Sequence, residues 1–353
     1  MDQFEENEYV MLEKLGEGGF GIVKKAYHQK LGKYMALKFF KKQKDPKKAF
    51  KLIMSEIVLL LKIEEINKEN EIFLKYYGAF KGCNDDLILQ MESGEATLQE
   101  IITARKFFKV EEILHILEKL VHSFAILQEK GIANRDIKPD NIILVEEQRN
   151  DEINYIYKAA DFGIGLEMGS GVEEVSFDTI IGLTKDFAAP EIIDHPVFGS
   201  YNPFVADVFS LGLVVLKMIN PSFKKSDLDQ GILYNEKLSK EYKPIVEILE
   251  KMLSKNPKNR DDFISLNLRL KELQKIHLFI EPLDEGKYCQ ILKMAREKKR
   301  EKSIEGLIGL YKEHTKLYHT YRHLISHFKE VQYHLERKWQ IIQKIKKKEE
   351  KLN

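Results

Sequence analysis

The chain has little of several features that would narrow its class. Its two cysteines, Cys83 and Cys289, have no metal-type spacing and make a disulfide framework improbable, so we expect a reducing, intracellular compartment, the cytoplasm with the nucleus not excluded. No apolar run approaches the roughly 18 residues of a membrane span, and the acidic start, MDQFEENEYV, has no apolar signal core. Lys and Arg total 57 against 56 Asp and Glu, so no overall charge favours nucleic acid or a membrane as partner.

What the chain does contain is an ordered change of pattern. Residues 9–40 alternate short mixed apolar and polar runs with glycines, which is typical of strands and turns. Helical spacing follows over 47–65, and strand-like pieces return at 72–80 and 87–91. Beyond these the pattern is mostly helical, and an amphipathic helix over 109–131 is expected to end at its glycine. The sequence therefore predicts a small sheet-rich part followed by a larger helical part.

The last part of the chain has a different texture. Residues 290–353 are rich in Lys, Glu, Tyr and His and contain no proline. Apolar residues recur there at heptad spacing, at Leu307, Tyr321, Phe328, Leu335 and Ile342 and at Leu310, Leu317, Leu324, Val331 and Ile345. This pattern predicts a helical extension over 271–353 with one apolar stripe. The stripe at 307–345 could pack on the chain's own globular part, self-associate or bind a partner helix, and the sequence leaves these uses open.

A glycine-rich segment comes early in the chain. Gly16-Glu17-Gly18-Gly19-Phe20-Gly21, with Val23 after it, forms a G-x-G-x-x-G pattern. Glycines let a main chain approach phosphates without a Cβ clash, although a plain glycine turn would have the same letters. A dinucleotide fold would begin a helix here, whereas the residues that follow are strand-like. The context favours a hairpin that covers nucleotide phosphates.

Lysines and residues with side-chain oxygens that suit a cation follow at several points further along the chain. Lys38 ends an apolar strand and needs an anionic partner, such as phosphate or Glu56, unless it reaches the surface. Asp136 could accept a proton from a hydroxyl, and Lys138 could neutralise charge on a moving phosphoryl group. The oxygens of Asn141 and Asp161 suit Mg²⁺. Singly such residues are usually turn or cap residues, but the joint spacing predicts phosphoryl transfer.

The order of these motifs along residues 9–270, approximately, resembles that of the eukaryotic protein kinases. The matching positions are the glycine-rich loop, Ala36-Leu37-Lys38, Glu56, Arg135-Asp136, Asn141, Asp161-Phe162-Gly163, Ala189-Pro190-Glu191, Asp207 and Arg260. The resemblance implies an α+β, bilobal fold, with a small antiparallel-sheet lobe at about 9–91, a hinge at 92–94 and a mainly helical lobe at about 95–270. It also implies ATP and Mg²⁺ in the cleft and proteins as the second substrate.

The resemblance also implies roles for individual residues. The adenine would lie between the side chains of Leu15, Val23, Ala36 and Ile143. Met91 would close the back of the pocket, and the main chain from Glu92 to Gly94 would meet the adenine edge. Glu191 would pair with Arg260 to brace the larger lobe, and Asp207 would anchor the catalytic loop.

Specificity and regulation have candidates too. Lys138 and Thr184 match the Ser/Thr kinases, which implies transfer of the γ-phosphoryl group of ATP to Ser/Thr hydroxyls. The alternative is a pseudokinase that serves as a scaffold or binding module. Arg135 before the catalytic aspartate is often a mark of regulation by loop phosphorylation, and Thr179, or failing that Ser176, is the expected site unless both are ordinary loop residues.

One residue departs from the family pattern. Asn134 stands where the family usually has a histidine that packs on the phenylalanine of Asp-Phe-Gly. Because asparagine supplies less apolar contact, we expect weaker packing of the active state but no loss of the chemistry.

Overall fold

The computed structural model describes most of the first 276 residues. The described ranges are 4–19, 21–41, 45–70, 72–82, 87–105, 108–149, 152–169, 171–180, 182–194, 199–228 and 242–276. Among them, none of the helices is both long enough and apolar enough to cross a membrane. The predicted helical extension lies outside these ranges, apart from 271–276, which end the helix Phe263–Ile276. The self-association stripe at 307–345, Phe20 and both cysteines also lie outside them.

The first part of the fold is a five-stranded antiparallel sheet with the order β1-β2-β3-β5-β4. Its strands are β1 (Tyr9–Glu17), β2 (Gly21–His28), β3 (Lys33–Phe40), β4 (Tyr76–Lys81) and β5 (Leu87–Glu92). The helix α1 (Pro46–Asn70) stands between β3 and β4 in the chain. The strands and helix predicted for this part are confirmed, and the glycine-rich segment lies in the β1–β2 hairpin as predicted.

Two boundaries differ from the sequence prediction. α1 continues beyond residue 65 to Asn70 because Ile66 and Asn67 extend its inward face, and Asn67 is buried. The predicted strand at 72–80 begins only at Tyr76, since the carboxamide of Asn67 bonds both main-chain groups of Phe73 and holds the chain out of the sheet.

Helices dominate the second part, as predicted. These are α2 (Leu98–Ala104), α3 (Val110–Glu129), α4 (Pro190–Ile193) and α5 (Pro203–Ile219), followed by helices Lys243–Met252 and Phe263–Ile276. α5 is buried along almost its whole length and forms the centre of this part. α3 ends before Gly131, whose φ is +70°, a left-handed conformation that favours glycine. The predicted end of this helix is therefore confirmed.

In the described part of the chain, three small sheets follow the larger one, and they fix the ends of the loops that carry the predicted site residues. β6 (Ala96–Thr97), β8 (Ile142–Arg149) and β9 (Glu152–Ala159) form one small sheet, and β7 (Ile132–Ala133) pairs with β10 (Leu166–Glu167). β11 (Val175–Ser176) pairs with β12 (Ser200–Tyr201). A single hydrophobic core extends from α1 through these strands to α5. The α+β fold with an antiparallel-sheet lobe and a helical lobe is thus confirmed.

Candidate active site

The glycines of the β1–β2 hairpin differ in what requires them. A Cβ added at Gly21 would lie 2.5 Å from the main-chain oxygen of Phe39, so packing alone demands glycine there. A Cβ added at Gly16, Gly18 or Gly19 would have no atom within 4 Å. Protein packing therefore does not explain these three glycines, and the open space beside them is a cradle that side chains would fill. This space suits the phosphates of a nucleotide.

The Glu17 side chain in this loop is held by two lysines. Its carboxylate binds Lys14 at 2.6 Å and Lys41 at 2.5 Å. The hydrogen bonds from Lys14 and Lys41 lower the pKa of Glu17 to about 2. The side chain is thereby engaged with Lys14 on β1 and with Lys41 directly after β3.

Lys38 joins two other predicted site residues, Glu56 and Asp161. Its Nζ lies 2.5 Å from Oε1 of Glu56 on α1 and 3.2 Å from Oδ1 of Asp161. Lys38 and Glu56 are both buried. Desolvation opposes the charged ammonium, but the carboxylates of Asp161 and Glu56 outweigh it and raise the pKa of Lys38. The surface-lysine alternative is wrong, because Lys38 lies inside the cleft between two carboxylates.

The two carboxylates respond in opposite directions. Burial raises the pKa of Glu56 in spite of its ion pair with Lys38. Desolvation would also raise the pKa of Asp161, but the neighbouring Lys38 ammonium prevails and lowers it. Asp161 thus stays ionised at the mouth of the cleft, where its side chain is 44% exposed and its oxygens can reach a cation.

The residues predicted to enclose an adenine lie on two sides of the cleft between the sheet and β8. Ala36 on β3 stands opposite Met91 on β5, in the same register as the pair Lys38 and Leu89. On the other wall, a Cβ added at Gly94 would lie 2.0 Å from Cγ2 of Ile143. Leu15 and Val23 are half-buried on β1 and β2, at the loop end of the sheet.

Glu92 has a structural task that the sequence did not reveal. Its carboxylate pairs with Lys158 on β9 at 3.2 Å, and its main-chain N–H donates to the oxygen of Lys75 at 2.8 Å. Lys158 is only 1% exposed. The sequence could have indicated this pairing, because Lys158 lies in a strand-like run before Asp-Phe-Gly and a buried ammonium requires an anionic partner.

Three predicted site residues surround the carboxylate of a fourth, Asp136. Oδ2 of Asp136 accepts from Nζ of Lys138 at 2.5 Å and from Nδ2 of Asn141 at 2.8 Å. Oδ1 of Asp136 accepts from the hydroxyl of Thr184 at 2.7 Å, and Lys138 reaches the same hydroxyl at 3.3 Å. Because the Asn141 amide nitrogen is engaged with Asp136, its amide oxygen is the atom that suits a cation.

Asp207 supports this loop from α5. Its buried carboxylate accepts the main-chain N–H of Asn134 at 2.9 Å and of Arg135 at 3.0 Å. Arg135 has a φ of +68°, which is unfavourable for a residue with a Cβ and must be held by its surroundings. Burial raises the pKa of Asp207 to about 7, although the two N–H donors favour its charged form.

Asn134 is a turn residue here. It is buried, and its Oδ1 accepts the main-chain N–H of Asp136 at 3.0 Å. The ring of Phe162 instead meets the ring of Phe73, with centroids 6.1 Å apart and planes at 81°. Asn134, which departs from the family pattern, thus orients the loop, while Phe73 supplies an aromatic contact for Phe162.

The segment from Asp161 to Glu191 is held in its middle, at Thr179, and at its C-terminal end, at Glu191. Nη2 of Arg135 donates to the carbonyl oxygen of Thr179 at 2.5 Å, and the Thr179 hydroxyl donates to the Ser176 oxygen at 2.8 Å. At the far end the Glu191 carboxylate accepts from Arg260 at 2.7 and 2.5 Å. The pairing of Glu191 with Arg260 that the family resemblance implied is present.

Comparison with known proteins shows which family this chain is similar to. Residues 9–266 match the model of the protein kinase domain. Human death-associated protein kinase 2 is 31% identical over 217 residues, which is 61% of this chain and 55% of that protein. The Schizosaccharomyces pombe serine/threonine-protein kinase cds1 is 27% identical over 266 residues, with 72% and 53% covered.

A third relative extends the match. The mouse interferon-induced, double-stranded RNA-activated protein kinase is 26% identical over 290 residues, which is 75% of this chain and 51% of that protein. The chain thus spans about half the length of the curated relatives that it matches. With the domain model covering most of the described residues, this chain belongs to the protein kinase family.

Proposed function

We propose that the protein is a Ser/Thr protein kinase that transfers the γ-phosphoryl group of ATP to hydroxyls of protein substrates. The observation that carries this proposal is the convergence of Lys38, Asp136, Lys138, Asn141 and Asp161 on one cleft beneath a glycine hairpin. Phosphoryl transfer depends mainly on positioning and charge neutralisation, and this set provides both.

The nucleotide would lie beneath the hairpin. Leu15, Val23, Ala36 and Ile143 would enclose the adenine, and Met91 would close the back of the pocket. The Glu92 carbonyl and the Gly94 main chain would meet the adenine edge. Gly16 to Gly21, including Glu17, Gly18, Gly19 and Phe20, would cover the phosphates with their main chain, and Lys38 would bind phosphate oxygens while Glu56 holds it in place.

Two hard-oxygen side chains fit Mg²⁺. The Asn141 amide oxygen and the Asp161 carboxylate would hold it, since Mg²⁺ prefers oxygen ligands and keeps several waters. When bound, Mg²⁺ neutralises charge on the phosphates. The lowered pKa of Asp161 keeps its carboxylate ionised for this purpose.

Side chains of this protein would accept the proton of the substrate hydroxyl and neutralise charge on the transferred group. Asp136 would orient the substrate hydroxyl and accept its proton while the oxygen forms a bond to the γ-phosphorus and ADP leaves. Lys138 would neutralise charge on the transferred group. Thr184, hydrogen-bonded to Asp136, supports a Ser/Thr preference as the family resemblance implies.

A radiolabel transfer assay tests this function. The wild-type chain should label a generic protein substrate on Ser or Thr, and Asp136→Asn should reduce the rate by ~100-fold or more because it removes the proton acceptor. The exposed Asp186, also near Thr184 in the chain, provides the matched control Asp186→Asn, which should retain activity. ATP binding without any transfer by the wild type would favour the pseudokinase alternative, and equal rates for Asp136→Asn and wild type would contradict a catalytic role.

We propose Thr179, or failing that Ser176, as the site of regulation by phosphorylation. The Arg135 guanidinium already reaches the Thr179 main chain, so a phosphate there would have a cation nearby. Mass spectrometry of the active protein should find the modification, and its absence from both residues would contradict the proposal.

We propose also that the heptad stripe at 307–345 mediates self-association, with binding of a partner helix as the alternative. Sedimentation of the full chain should give a dimer that Leu317→Asp and Leu324→Asp together convert to a monomer. A wild-type monomer at tens of micromolar would contradict this.

A further inference from the structure

The junction between α1 and β4 depends on one carboxamide. Nδ2 of Asn67 donates to the oxygen of Phe73 at 2.9 Å, and Oδ1 of Asn67 accepts the Phe73 N–H at 2.8 Å. Asn67 is 2% exposed, and Phe73 is fully buried. Because buried main-chain groups must be paired, this double contact is what lets Phe73 lie in the core outside any strand.

Phe73 then meets the approach to the Asp-Phe-Gly turn in two ways. It forms an isolated bridge to Ala159, two residues before Asp161, and Leu74 donates its N–H to the Ala159 oxygen at 3.4 Å. Its ring meets the Phe162 ring edge to face. Residues on both sides of Asp161 are thus in contact with Phe73 or its neighbour.

α1 therefore acts on Asp161 at two points. Glu56 and Asn67 are eleven residues apart, about three helical turns, so they lie on one face of α1. Glu56 holds Lys38, which binds the Asp161 carboxylate, and Asn67 holds Phe73, which packs on Phe162. Asp161 itself has a φ of +57°, a conformation that persists in a non-glycine residue only when its surroundings impose it.

We propose that Asn67 and Phe73 are positioning residues that hold Asp161 in its cation-binding geometry through Phe162. This proposal rests on the proposed function, since it assigns Asp161 to Mg²⁺. Its consequence is that α1 sets both the lysine and the carboxylate of the site.

Phosphoryl-transfer rates measured against Mg²⁺ concentration test the proposal in the full chain. Phe73→Leu keeps an apolar side chain but removes the ring pair, and Asn67→Ala frees the Phe73 main chain. Each should raise the half-saturating Mg²⁺ concentration by about 2- to 10-fold, the range expected for an aromatic pair. The KM for the peptide substrate should not change. The double variant should raise the half-saturating Mg²⁺ concentration no more than the more severe single variant does, because Asn67 and Phe73 both act through Phe162.

Phe124 gives a matched control for loss of a buried ring. It is also buried, at 3% exposed against 0% for Phe73, and it packs on Phe263 in the helical part with ring centroids 5.0 Å apart. Phe124→Leu should lower the melting temperature as much as Phe73→Leu while leaving the Mg²⁺ dependence unchanged. Should Phe73→Leu unfold, the milder Phe73→Met and calorimetric binding of ADP with Mg²⁺ give the same comparison.

The outcomes separate two failures. If the wild type transfers phosphate and the Phe73 and Phe124 variants share the wild-type Mg²⁺ dependence, the positioning role is refuted and the kinase function stands. If the wild type transfers no phosphate, the proposed function fails, and binding of ADP with Mg²⁺ alone then decides the positioning role.

Discussion

Replacing Glu191 by glutamine removes the counter-charge of an arginine that water cannot reach. The Arg260 side chain is 0% exposed, and two of its nitrogens donate to the two carboxylate oxygens of Glu191. It also donates to the main-chain oxygens of Val205 at 3.1 Å and Ser254 at 2.7 Å. Glutamine would keep one acceptor but would turn an N–H group toward the guanidinium.

The burial of Arg260 sets the size of the effect. Removing one partner of a buried ion pair costs about 3–5 kcal/mol of unfolding free energy, because a desolvated charge stays behind. The carbonyl acceptors of Arg260 remain, so we expect the lower end, about 3 kcal/mol. For a domain of more than ~250 residues, each kcal/mol lowers Tm by about 2 °C, which gives a decrease of about 6 °C.

Thermal melting followed by circular dichroism measures this change. The control is Asp261→Asn, which removes the carboxylate partner of Arg269, a side chain that is 45% exposed. Exposed ion pairs contribute about 1 kcal/mol or less, so this control should lower Tm by about 2 °C at most. If Glu191→Gln and Asp261→Asn lower Tm equally, burial does not determine the value of the Glu191–Arg260 pair and the reasoning is refuted.

Three further predictions concern the cleft and its support. Gly18→Ala should weaken ATP binding without lowering Tm, whereas Gly21→Ala should lower Tm because its Cβ would meet the Phe39 oxygen at 2.5 Å; calorimetry and melting separate the two. Gly94→Ala should both weaken ATP binding and lower Tm, since its Cβ would lie 2.0 Å from a carbon of Ile143 on β8. An unchanged ATP affinity would contradict this prediction. Burial raises the pKa of Asp207 from 3.8 to about 7, so its contribution to stability is full below about pH 4 and lost as pH rises through 7. The Tm of wild type relative to Asp207→Asn should therefore fall between about pH 4 and about pH 7, and a Tm difference that stays constant over this range would contradict the prediction.

Much of the fold was predictable because its signals are local. The strands around the glycine hairpin and the end of α3 at Gly131 depend on short-range spacing and on backbone preferences of single residues. The motif residues of the catalytic loop are likewise only a few positions apart, so Asp136, Lys138 and Asn141 could be assigned to one site from the sequence.

Long-range pairing could not be predicted from pattern alone. Lys158 and Glu92 are 66 positions apart, and the chain between them gives no sign that they meet. The end of α1 at Asn70 and the late start of β4 have the same origin, since both follow from the contact between Asn67 and Phe73 that forms only when the junction is buried.

The sequence by itself determined which groups this protein has for the proposed phosphoryl transfer, because the glycine hairpin, the lysine and the carboxylates are recognisable from local spacing. Only the tertiary structure decided how those groups are held. Asn134 looked like a weakness in the sequence, yet its carboxamide accepts the Asp136 N–H while Phe73 supplies a ring for Phe162. Burial explains the difference, because a desolvated polar group or ring gains its role from the partners that surround it after folding.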